Sequence, residues 1–128
     1  MLINELVKLS GVSARTLRYY DEIGLLKPSM VAQNGYRMYS QLDIDRLQQI
    51  LFYRALDFKL EQIKRLLENP DFEVKEALKQ QQKLLEQKRS YVDGLLQTIT
   101  QTIDTMEGER TMTNEQKFEA FKQNLIEE

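Results

Sequence analysis

The sequence predicts an all-α protein with a small β-hairpin wing: a winged helix-turn-helix followed by a long dimerisation helix. Three observations lead there. Two short helical patterns meet at Gly11. An Asn34-Gly35 pair lies between short alternating segments. Apolar residues recur every seven positions from Leu78 to Met106.

The first helix is expected to start near Asn4, a plausible N-cap, with Leu6, Leu9 and Val12 at helical or turn spacing. Gly11 stops it, because glycine accepts the left-handed conformation at low cost. Ser13 can then cap a second helix whose inward face holds Leu17, with Tyr20 open to either face, and which ends before Gly24. Helix, short glycine turn and helix make a helix-turn-helix. In such a unit the second helix enters the major groove, and its outward residues meet bases and phosphates. Here those are Arg15, Thr16, Arg18 and Tyr19. Arginine binds guanine bidentately, and a tyrosine hydroxyl reaches phosphate. A bland alternative makes the tyrosines core or rim aromatics and leaves Arg18 solvated.

Asn34-Gly35 favours a type I′ hairpin turn. Tyr36, Arg37, Met38 and Tyr39 alternate as a short strand. A hairpin directly after a helix-turn-helix reads as a wing, with Arg37 and the tyrosines against the DNA backbone. Ser40 and Asp43 form a capping-box variant opening a third helix, with Ile44, Leu47, Ile50 and Leu51 as its stripe. A fourth helix carries Leu60, Ile63, Leu66 and Leu67 and ends by Pro70.

From Glu73 to Glu107 the pattern is one helix of ~35 residues, about 50 Å long. Leu78, Leu85, Val92, Ile99 and Met106 form a clean heptad row. A second row, with Val74, Leu95 and three polar residues, is mixed. Such a helix is too long to pack wholly on a domain of about 70 residues, so dimerisation is its physical rationale. The last stretch has Thr113 as a cap and Phe118 and Phe121 at i, i+3, on one helix with no core of its own.

Composition excludes several classes. The 128 residues contain no cysteine and no histidine. That removes disulfides, thiolate metal sites and the commonest general base. No paired carboxylates, nucleophile–base set or phosphate loop stands out, so an enzyme, a metal and a cofactor are not expected. No apolar run approaches the ~18 residues of a membrane span, and the N-terminus lacks signal-peptide regions. A cytoplasmic protein without membrane association is the expectation. Net charge is −2, but residues 1–69 carry 10 basic against 8 acidic residues and residues 70–128 carry 8 against 12. Only the first part favours a phosphate backbone.

The segments "GVSARTLRYYDEIGLLKPS" (11–29), "NGYRMYS" (34–40) and "DIDRLQQILFYRALDFKLEQIKRLL" (43–67) stand in order and at family spacing. On these the chain resembles the MerR family of bacterial transcription regulators. The end resembles, more weakly, the first helix of a TipA-type drug-binding domain, in the multidrug-response branch. The resemblance implies a domain at 1–70, an antiparallel coiled-coil helix at 71–108, and at 109–128 the start of a truncated effector domain. It implies that the helix from Ser13 to Asp21 enters the major groove. Arg18, Tyr19 and Tyr20 would contact DNA, with Tyr36, Arg37 and Tyr39 in or near the wing and Arg54 reaching the backbone. Leu78, Leu85, Val92, Leu95, Ile99 and Met106 would line the homodimer seam. Such regulators bind a pseudo-palindromic promoter site and distort it so that RNA polymerase engages both promoter elements.

Three positions depart from the family pattern: Val7 for alanine, Asp57 for glycine, and Lys59 for a capping residue. With no cysteine, the metal-sensing branch is excluded. Residues 109–128 are too few to form a drug pocket, so no small-molecule inducer is expected for this form. An architectural or excision-type DNA-binding protein and a coiled-coil adaptor without DNA binding are the alternatives. The long helix argues against the first, and the Arg-Tyr-Tyr and Asn-Gly-Tyr-Arg segments argue against the second.

Overall fold

The computed structural model describes residues 1–123. Helices α1 (Ile3–Ser10) and α2 (Ala14–Glu22) are followed by strands β1 (Met30–Val31) and β2 (Arg37–Met38). Then come α3 (Gln41–Ala55), α4 (Leu60–Glu68), α5 (Val74–Met106), α6 (Asn114–Phe118) and a 3-10 turn, Ala120–Gln123. The mostly helical fold with one antiparallel hairpin and a long helix is the expected one. Contacts divide the chain into two compact units, Met1–Ala77 and Leu78–Glu128, so the division falls inside α5.

In the first unit, local signals set the helix ends. Gly11 takes φ 76° at the end of α1. Ser13 caps α2 by accepting a hydrogen bond from the Thr16 amide at 3.1 Å. At α3 the exchange is reciprocal: the Ser40 amide donates to Asp43 at 2.8 Å, and the Asp43 amide donates to the Ser40 hydroxyl at 3.3 Å. The α1 start differs from expectation. Leu2, not Asn4, is the cap residue, and the Glu5 carboxylate accepts its amide at 3.1 Å. A carboxylate at the third helical position satisfies that donor, so an Asn cap is unnecessary. Lys59 supplies no side-chain cap to α4; Gln62 accepts its amide at 2.9 Å instead. Asp57 stands at φ 65° between α3 and α4, the left-handed conformation for which glycine is the usual choice.

The hairpin pairs Met30 with Met38 and Val31 with Arg37. Its turn is not the expected type I′. The Gly35 amide donates to Ala32 O and the Ala32 amide to Tyr36 O, both at 2.8 Å. Gly35 is left-handed at φ 84°, whereas Asn34 is not. A three-residue loop ending in a left-handed glycine closes the hairpin. The chain start adds a third edge. Leu2 bridges Met38, the Tyr39 amide donates to Met1 O at 2.7 Å, and the Met1 ammonium donates to Tyr39 O at 2.9 Å.

The core of this unit gathers Leu6, Leu17, Tyr20, Leu25, Leu26, Tyr39, Leu47, Ile50, Tyr53 and Ile63. Each such large side chain contributes about 1.5–3 kcal/mol when taken fully out of water. Phe58 plugs the α3–α4 corner, its ring centroid 5.1 Å from that of Tyr53.

In the second unit, α5 ends at a left-handed Gly108. The chain then turns back, and Thr113 caps α6 by accepting the Gln116 amide at 3.2 Å. The expected single terminal helix is instead a five-residue helix and a 3-10 turn. Ala120 is buried and packs on Gly94 of α5. The segment therefore shares the long helix's surface rather than standing without a core. The effector-domain start expected at 109–128 extends past the described residues at 124–128.

Candidate nucleic-acid interface

Helix α2 is short and two-faced. Leu17 and Tyr20, three positions apart, face the core and are buried. Arg15, Arg18 and Tyr19 fall on the opposite face and are exposed, while Thr16 is half-buried. The spacing follows the helical period, in which residues three and four apart share a face. Ser13 is occupied by its cap: its hydroxyl accepts from the Thr16 amide and donates to the Thr16 hydroxyl at 2.9 Å.

Two expected DNA contacts are corrected. Tyr20 is 3% exposed and Tyr39 is 2% exposed. Tyr20 shares the core face with Leu17, so its ring cannot also face outward. Tyr39 follows β2 and turns its ring inward; its hydroxyl is buried without a hydrogen-bond partner among the described residues. Burial, aided by the nearby Asp21 and Asp43 carboxylates, raises its pKa against the opposing pull of Arg37 and Arg18. Tyr36, at the hairpin end, is exposed, and Arg54 is exposed in the last turn of α3.

The wing and α2 are joined by Asp21, which sequence reasoning did not single out. Its Oδ2 accepts from Arg37 Nε at 3.1 Å. Its Oδ1 lies 3.6 Å from Lys27 Nζ. Arg46 is a second such residue: its Nε donates to Leu25 O at 2.9 Å and fixes the loop after α2. A third tie is Asp43. Its Oδ2 accepts from the Ser29 amide at 3.0 Å and the Ser29 hydroxyl at 2.6 Å, besides the Ser40 amide. Burial pushes this carboxyl up, but the hydrogen bonds from Ser29 and Ser40 outweigh it and hold it below the usual carboxylate range. The bonds Asp21–Arg37, Arg46–Leu25 and Asp43–Ser29 span 14 to 21 residues in sequence, so no local pattern announces them.

Along α5, Leu78, Leu85, Val92, Ile99 and Met106 are all exposed. Leu95, expected on the same seam, is half-buried. It follows Gly94, on which Ala120 packs. Leu96 and Ile103 are exposed instead, four positions after Val92 and Ile99. The second row of the exposed stripe is therefore one residue further along than expected. At the end of α5, carboxylate oxygens of Asp104, Glu107 and Glu109 lie within 4.8 Å of one another. Nothing else there points to an ion. No helix among the described residues is long and apolar enough to cross a membrane.

An outward Arg/Tyr face on the second helix of a helix-turn-helix, tied to a hairpin wing, defines a DNA-binding module of the winged type. Residues 1–70 match the family described as MerR HTH family regulatory protein, and residues 44–108 match the family described as MerR, DNA binding. The chain belongs to the MerR family of transcription regulators. It is similar to the HTH-type transcriptional activator mta of Bacillus subtilis, 41% identical over 126 residues, covering 98% of this chain and 49% of that protein. It is 38% identical to the HTH-type transcriptional activator TipA of Streptomyces coelicolor, over 93% of this chain and 47% of that protein. Among solved structures, the HTH-type transcriptional regulator SkgA of Caulobacter crescentus superposes with a TM-score of 0.83 at 41% identity, covering 94% of this chain and 88% of that chain. These relatives are MerR-family regulators of the multidrug and TipA-like branch. They are regulators, not enzymes. The chain spans about half the length of the curated relatives it matches.

Proposed function

We propose that the protein binds a pseudo-palindromic promoter site as a homodimer and distorts it so that RNA polymerase can engage, acting as an activator. One observation carries this reading: α2 turns Arg15, Arg18 and Tyr19 outward while Asp21 ties the same helix to the wing. In this reading Arg15, Thr16, Arg18 and Tyr19 meet the major groove. Tyr36 and Arg37 meet the backbone beside it, and Arg54 meets phosphates from α3. Tyr20 and Tyr39 support this surface from the core.

The assembly rests on α5. From Val74 to Ser90 it carries five Lys/Arg and two Glu; from Tyr91 to Met106 it carries two Asp and no basic residue. This arrangement opposes the helix macrodipole, which favours acidic residues at the N-terminus and basic ones at the C-terminus. An antiparallel partner resolves the conflict by setting each basic half against an acidic half. The exposed row from Leu78 to Met106, with Leu96 and Ile103, supplies the apolar seam. Two reading helices then face two half-sites, which calls for a two-fold symmetric operator.

The test is a binding titration on the protein's own promoter against a random duplex at moderate salt, with sedimentation of the free protein. A dimer that prefers the promoter supports the reading. Equal affinity for both duplexes refutes it.

A further inference from the structure

We infer that Asp21 is a positioning residue for DNA binding: it grips Arg37 by Nε and presents the rest of that guanidinium to a phosphate beside the reading helix. The inference rests on the DNA-binding reading above and adds to it a residue that touches no DNA itself.

The geometry has three parts. First, the wing is minimal, with two residues in each strand, and a lone two-stranded hairpin is marginal in water. Its orientation toward α2 therefore has to come from outside the hairpin. The Asp21–Arg37 bond supplies a side-chain link between those two elements. Second, arginine has five N–H donors in a planar fork. Only Nε is engaged; the guanidinium makes no other hydrogen bond among the described residues. Gripping Nε fixes the plane of the fork and leaves its terminal nitrogens for a bidentate phosphate contact. Third, Asp21 sits one turn from Arg18 on the same helix. The two side chains of the pair are only 22% and 31% exposed.

Charge makes this inference unlike the alternative. A carboxylate on a DNA-facing surface repels phosphates unless it is neutralised. Here Lys27 and Arg37 both attend it. If Asp21 were only a surface charge, neutralising it would tighten DNA binding. If it positions Arg37, neutralising it weakens binding, because the fork is released and its ordering has to be supplied at the moment of contact.

The experiment measures Kd for the promoter duplex across a range of salt for the wild type, Asp21→Asn, Arg37→Ala, Arg37→Lys and the Asp21→Asn/Arg37→Ala double variant. Asp21→Asn should weaken binding roughly tenfold at moderate salt and flatten the dependence of log Kd on log salt by about 1.8, two phosphates per dimer at ~0.9 each. Arg37→Ala should do the same, and the double variant should add nothing further. Arg37→Lys keeps the charge but has one head group for both partners, so it should flatten the slope as well. That variant leaves Asp21 in place and decides the matter even where Asp21→Asn does not fold. Tighter binding by Asp21→Asn, additive losses in the double variant, or wild-type behaviour of Arg37→Lys overturns the inference. A wild type that does not discriminate promoter from random duplex overturns the DNA-binding reading instead.

Discussion

The Cβ of Ala120 lies 3.4 Å from where a side-chain carbon on Gly94 would stand. This contact joins the returning C-terminal segment to the long helix, and it decides what Gly94 can become. A methyl at that distance meets ordinary van der Waals contact, whereas the further atoms of a branched side chain have to share the space that the returning segment takes. Gly94→Ala should therefore stabilise α5 by about 0.5–1 kcal/mol through helix propensity, with the segment still docked. Gly94→Leu should release it. Hydrogen exchange at the α6 amides checks both; unchanged protection in Gly94→Leu would show that the segment is held elsewhere.

Val92, 43% exposed, stands near the middle of the apolar row on α5. Val92→Asp would set a carboxylate into the proposed seam, which is costly without a partner. Sedimentation should then report monomers, and promoter binding should fall because the two half-sites are no longer held together. Leu96→Asp should act alike, whereas Leu95→Asp should dissociate the dimer less. Dimers that survive both Val92→Asp and Leu96→Asp would place the interface on another face.

Arg18→Ala should cost about 1–3 kcal/mol in binding and relax sequence preference at one base position. Tyr19→Phe keeps the ring and removes a hydroxyl, so it should weaken all duplexes alike. Tyr20→Phe, by contrast, alters a buried ring, and its effect should appear in the melting temperature before it appears in binding. Titrations on operator variants separate these outcomes.

Asp43 makes stability depend on acid. Its folded pKa lies below the ordinary value of 3.8, so the folded state binds that proton less readily than the unfolded chain. The contribution is present above the unfolded pKa and is lost as pH falls through the folded one. Asp43→Asn should therefore lower the melting temperature at neutral pH and narrow the difference from wild type as the medium is acidified below pH 4. A constant difference down to pH 2 would mean that the carboxylate's charge is not what holds Ser29 and Ser40.

Much of this architecture could be read from residue order alone. Ser13, Ser40 and Thr113 are caps that the structure uses, and Gly11 ends α1 as its conformational freedom implies. Those features are local, so a few neighbouring residues determine them. Asn34-Gly35 gave a hairpin but not its loop, because the pairing of Ala32 with Tyr36 depends on register set by the rest of the wing. The outward face of α2 was legible from period. The capping role of Asp43 was legible too, but its bond to Ser29 was not, nor were those of Asp21 to Arg37 and Arg46 to Leu25, since each joins residues at least 14 positions apart. Leu95 shows a related limit: a heptad row says that a face is apolar, but not which of two adjacent leucines is the more exposed, and here that is Leu96.

The bridge from Met1 and Leu2 to the end of the hairpin gives the wing a mechanical property. Leu2 bridges Met38, and the chain passes directly from it into α1 at Ile3. A hairpin with two-residue strands would bend on its own under load. With its inner edge stitched to the root of α1, a push on the wing tip is carried as tension into a helix packed in the core. The wing is built as a braced lever rather than a flap, and the stiffness it would offer a duplex in the proposed complex depends on Met1 and Leu2 as much as on the hairpin itself.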